Sequence, residues 1–101
     1  MTTPEPAEPD PDKRAALALQ VWRYKEGEVV SLMIHLGDRL GLYRALAGEA
    51  PMSAEALAAR TGTHPRWVLE WARCQAAAGL LDTADGESFG LSPEATEVLA
   101  D

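Results

Sequence analysis

Between Ser53 and Gly79 the chain carries two short helical segments separated by a tight, glycine-containing turn. Ser53 reads as an N-cap, Glu55 suits a first turn, and Ala56, Leu57 and Ala58 lead to a stop at Gly62. Thr63 or His64 caps the next segment, whose first turn takes Pro65. That segment runs through Trp67, Val68, Leu69, Trp71, Ala72, Cys74 and Ala76 to a C-cap at Gly79. Two helices joined by so short a turn form a helix-turn-helix. After Gly79 the helical period is lost. Leu80-Leu81 and Ser88-Phe89-Gly90-Leu91 flank Asp85-Gly86, a strong signal for a tight hairpin. A hairpin placed there is a wing. The fold expected is therefore mainly α, a winged helix-turn-helix with a small β-hairpin wing and extra N-terminal helices.

The flanks extend this unit in both directions. Residues 1–12 hold four prolines and four acids without a base, so they are expected to form a disordered acidic leader. Asp12 reads as the N-cap of the first helix, and the domain is expected to cover residues 13–101. Apolar residues then recur at three- and four-residue spacing: Ala15, Leu19, Trp22, Val29, Met33, Leu36 and Leu40. Gly27 either divides this stretch into two helices or is tolerated within one, at about 1 kcal/mol. The part from Glu28 to Leu40 is apolar around most of its circumference and should be covered on more than one side. A domain of this size covers one side, so something else must cover the other. Gly41 reads as a C-cap, followed by a short helical turn from Leu42 to Leu46 that ends at Gly48. At the far end Ser92-Pro93-Glu94 caps one more helix. It runs for only about two turns and reads as cut short.

Composition narrows the function classes. At 101 residues the chain is one domain, too small to build both a cofactor site and a substrate site. Its net charge is −7, of which the leader supplies −4 and the remainder −3. A general polyanion binder needs a basic stripe that is missing here. Cys74 is the only cysteine, which excludes an intrachain disulfide and points to a reducing, cytoplasmic setting. Neither a secretory signal nor a membrane span is expected, because charges interrupt the apolar stretch Val29–Leu46. No GxGxxG, GxxxxGK[ST] or HExxH occurs, so no catalytic, cofactor-binding or metal-binding residue is assigned.

Individual residues leave choices open. Cys74 reads as a small core hydrophobe, against a reactive thiol. His35 is either solvent-facing or hydrogen-bonded, or a polar contact in a pocket or interface. Gly37 and Gly41, four apart, could admit a close helix. Trp67 and Trp71 read as core anchors. On the opposite face Glu70 lies one turn from both Arg66 and Arg73 and can pair with each. That suggests a solvated face in preference to base readout.

Two segments in combination carry a resemblance. Val21–Leu46 contains GDRLGLYRAL, and Met52–Trp71 contains LAARTGTHPRWVLEW, with Gln75–Gly79 close behind. From about Ala15 to Asp101 the chain resembles the N-terminal winged-helix domain of bacterial class I S-adenosylmethionine-dependent methyltransferases. The resemblance implies a non-catalytic domain that mediates homodimerisation and helps close a small-molecule substrate cavity over a separate or missing catalytic domain. S-adenosylmethionine would belong to that parent enzyme, because the glycine-rich motif and its acidic partner are not found in this chain. Trp22, Met33, His35, Leu36 and Tyr43 are the expected pocket or dimer-interface residues, since they lie on the over-apolar helices. The alternative is a small DNA-binding regulator using Arg60, Arg66 and Arg73. A stand-alone relative that binds a hydrophobic ligand or a partner methyltransferase is a third expectation.

Overall fold

The computed structural model describes residue 3 and residues 7–101. The expected leader thus lies partly outside the described residues. Along the chain run α1 (Pro11–Arg39), α2 (Leu42–Leu46), β1 (Met52–Ser53), α3 (Ala54–Thr61), α4 (Pro65–Ala77), β2 (Ser88–Phe89) and α5 (Pro93–Leu99).

The first helix begins earlier than its sequence suggests. Asp10, not Asp12, is the N-cap, and its Oδ1 accepts from the Asp12 and Lys13 N–H groups at 2.8 and 3.2 Å. Pro11 then takes the first helical position, where its missing donor costs nothing. Of the two readings left open at Gly27, a single helix is the one adopted. A Cβ there would meet nothing within 4 Å, so the penalty is propensity alone. The helix ends at Leu40, and Gly41 turns the chain with a left-handed φ of 74°.

The helix-turn-helix forms as its caps dictate. Ser53 Oγ accepts from Ala56 N–H at 3.1 Å, and Gly62 closes α3 at φ 67°. His64 caps α4, its Nδ1 accepting from Arg66 N–H at 3.2 Å. Ser92 Oγ caps α5 through Ala95 N–H at 3.0 Å.

The wing is present, but its pairing differs from a simple hairpin. Asp82 and Gly90 form one antiparallel bridge, with both backbone bonds made, at 2.9 and 3.0 Å. Beyond it, β2 leaves its hairpin partner and pairs with β1, Met52 opposite Phe89 and Ser53 opposite Ser88. The reason lies in the turn. Asp85 Oδ1 takes the Glu87 and Ser88 N–H groups and Thr83 Oγ1 takes that of Gly86, so side chains occupy donors a longer ladder would need. These two backbone bonds hold the exposed Asp85 carboxyl below the usual carboxylate range.

The core gathers Leu42, Tyr43 and Leu46 of α2, Leu57 of α3, Val68 and Trp71 of α4, and Leu81 and Phe89 around the wing. Leu99 and Ala100, at the end of α5, pack against it half-buried. Tyr43 meets Trp71 edge to face, with ring centroids 5.2 Å apart. Its hydroxyl donates to Gln75 Oε1, a fully buried pair whose amide Nε2 has no partner among the described residues. Burial, with the Asp38 charge and then Cys74 adding to it, pushes the Tyr43 hydroxyl up to about 12.

Two tryptophans expected to be alike are not. Trp71 is 5% exposed and anchors the core, whereas Trp67 is 69% exposed. A turn separates them, and only Trp71 lies under α1. Gly37 makes that approach possible: a Cβ on it would sit 2.6 Å from Trp71 Cζ2 and 2.6 Å from Tyr43 Cε2. Gly37 is the only buried residue of α1 among those described. The N-terminal part of the helix, through Val29, is exposed along its length and projects from the body, giving overall extents of 71 × 25 × 22 Å.

Candidate functional site

Where α1 leaves the body, it and α4 enclose an apolar groove of about 750 Å3. Met33, Leu36 and Leu40 form the α1 wall. Trp67, Trp71 and Cys74 form the α4 wall, and Leu42 and Val68 also line the groove. The spacing of these residues places them there: three and four apart on α1, and three and four apart on α4. The walls are pinned to each other. Trp71 Nε1 donates to the Met33 carbonyl at 2.8 Å, and Gly37 lets the indole and the helix meet. Near the start of α4 the rim turns polar, with Thr63, His64, Arg66 and Glu70.

A second groove, of about 530 Å3, continues along α1 toward its projecting part. Trp22, Val29 and Val30 line it from α1, and Cys74, Ala77 and Ala78 from the end of α4 and its cap. Cys74 lines both grooves, half-buried, and so is not the plain core residue its neighbours suggested.

Of the five residues expected at a pocket or dimer interface, Met33 and Leu36 come together in the larger groove. Trp22 lies in the smaller one. His35 is exposed and lines neither groove. Tyr43, expected on that surface, is instead 1% exposed in the core, because α2 turns it inward onto Gln75 and Trp71. Sequence reasoning missed Leu40, Trp67 and Cys74 as groove residues. The available signal was that Trp67 and Trp71 share one stripe with Cys74, longer than the core beneath needs.

The three arginines of the helix-turn-helix each face an acid. Arg60 lies 3.4 Å from Glu49, Arg66 4.0 Å from Glu70, and Arg73 2.7 Å from Glu87. Glu70 was expected to serve both Arg66 and Arg73. Arg73 instead reaches the wing, where it also donates to the Gly86 carbonyl at 3.2 Å. Pairs this exposed contribute only about 0–1 kcal/mol, but they offset the charge a phosphate contact would need.

No group of three or more potential metal ligands occurs among the described residues. Nor do these residues fit S-adenosylmethionine. The left-handed glycines Gly41, Gly48, Gly62, Gly79 and Gly86 lie in helix ends and turns, none on a turn that leads from a strand into a helix, and β1 enters α3 through Ser53. No described helix is long and apolar enough to cross a membrane.

Residues 28–101 match the family described as the Rv2258c-like winged HTH domain. Among solved structures, the mitomycin 7-O-methyltransferase MmcR is similar at 28% identity and a TM-score of 0.79, over 91% of this chain and 27% of that one. The N,N-8-amino-8-demethyl-D-riboflavin dimethyltransferase RosA from Streptomyces davawensis is similar at 29% identity, with a TM-score of 0.66, over 75% of this chain and 22% of that one. CalO1, a methyltransferase in calicheamicin biosynthesis in its SAH-bound form, shares the fold at 22% identity and a TM-score of 0.70, over 93% of this chain and 27% of its own. The chain thus spans about a quarter of the length of these structures. No curated protein matches it.

Proposed function

The chain belongs to the Rv2258c-like winged helix-turn-helix family, and from that premise we propose that it is the non-catalytic N-terminal module of an S-adenosylmethionine-dependent methyltransferase. In this reading the module pairs two copies of the enzyme and walls one side of a small-molecule pocket. A separate domain holds the cofactor and does the chemistry, in a cytoplasmic, reducing setting that suits the lone Cys74. The likeness to MmcR and RosA supports the parent activity.

One observation carries the reading: the apolar stripe of α1 runs on from the body onto the projecting part of the helix and stays largely exposed there. Trp22 is 59% and Val29 51% exposed, on the stripe that farther along holds Met33, Leu36 and Leu40 against α4. Apolar surface arranged this way on a projecting helix marks an interface. Sedimentation of the chain tests it. A dimer is expected, converted to monomer by Trp22→Glu, and a strict monomer at high concentration overturns the pairing.

The helix-turn-helix itself motivates a second reading, DNA binding through Arg60, Arg66 and Arg73. The three ion pairs and the overall acidity weigh against it. No gel shift is expected even at low salt, where nonspecific attraction is strongest.

A further inference from the structure

We infer that the groove between α1 and α4 is itself a binding site for a planar aromatic molecule bearing carbonyl or carboxylate oxygens along one edge. The site lies wholly within this chain, so it stands whether or not two copies pair. Its volume of about 750 Å3 falls within the range of about 300–1,000 Å3 typical of small-molecule sites. Two indoles, Trp67 and Trp71, and the sulfurs of Met33 and Cys74 line it. Aromatic faces and polarisable sulfur favour flat rings over aliphatic ones.

The groove is also preformed. Trp71 is fixed by its bond to the Met33 carbonyl and by its contact with Tyr43, so one indole wall needs no ordering when a ligand enters. Trp67, 69% exposed, is the other indole and the part left for a ligand to cover.

Polar groups gather at one end only. His64 Nδ1 accepts from the Arg66 N–H, which leaves the proton of the neutral ring on Nε2 as a donor. Arg66 lies 4.0 Å from Glu70, so the acid offsets part of its charge, but the distance is beyond good hydrogen-bond reach and leaves guanidinium N–H donors for a ligand oxygen. A ligand with oxygens on the edge nearest His64 and Arg66, and bare rings toward Cys74, matches this polarity.

Calorimetric titration of the full chain with naphthoate and with its saturated counterpart, decalin carboxylate, tests the site. Naphthoate is expected to bind about tenfold tighter than the saturated acid, since both share the carboxylate and differ in the rings. Trp67→Ala should weaken naphthoate about tenfold, with thermal unfolding confirming that this exposed residue leaves the fold intact. Trp67→Phe should retain most of the affinity, and Val98→Ala, on the far helix α5, all of it. Equal binding of the two acids, or unchanged binding by Trp67→Ala, overturns the site. Release of a second copy by naphthoate also overturns it, by marking the groove as an interface between copies. A monomer that binds naphthoate through Trp67 upholds the site while removing the pairing proposed above.

Discussion

Gly37 is the position on which the packing of the projecting helix turns. Its missing side chain is what allows Trp71 and Tyr43 to meet α1, and both rings are rigid and buried. Gly37→Ala should therefore cost about 1–3 kcal/mol, read as a lower denaturant midpoint at unchanged slope. The buried Tyr43 hydroxyl sets a second expectation. Its pKa in the folded state is raised to about 12, so the stability it contributes is complete below the ordinary tyrosine value of about 10. That stability is lost as pH rises from there through about 12. Tyr43→Phe should flatten this alkaline loss, as followed by unfolding at fixed temperature. Asp85 works in the opposite sense. Its pKa is lowered, so its contribution is present above the ordinary carboxylate range and is lost as pH falls through the folded value. The Glu87 and Ser88 amide resonances should shift together with Asp85 protonation, below that ordinary range.

At the level of elements, local chemistry was readable and distant packing was not. Ser53, Pro65 and Ser92 announce helix starts because a cap depends on neighbours three residues away. Asp10 is hard to tell from Asp12 as a cap by residue type, and the proline between them decides the matter. Strand β1 is two residues long, too short for any period to appear, and it exists only because Phe89 comes back to pair with Met52. Trp67 and Trp71 look identical along the chain, and which is buried depends on where α1 lies. The groove was half legible: Met33 and Leu36 follow from the apolar stripe of α1, while the Trp67, Trp71 and Cys74 stripe of α4 is visible without showing which part of it α1 leaves open. Gly27 offers a test at this scale. With open space around it, Gly27→Ala should stabilise α1 by up to about 1 kcal/mol, seen as increased helicity and a higher Tm.

For the whole molecule, one long helix and a small body give an elongated particle. Sedimentation should report friction well above that of a sphere of 10.9 kDa if the chain is single. A paired chain should carry a larger mass with the Trp22 fluorescence shifted by burial. The acidic balance predicts that neither form gains affinity for DNA as salt is lowered.

The bond from Trp71 to the Met33 carbonyl has a mechanical side. It ties α1 to α4 about 33 Å by helical rise from Pro11, near the last point at which the helix touches the body. The projecting segment is therefore a lever with its fulcrum at the groove. A tilt of about 5° at Met33 would carry the tip through roughly 3 Å, about two residues of helical rise. By the same geometry, any displacement of α1 beside Trp71 would be larger at the tip of the arm than at the groove.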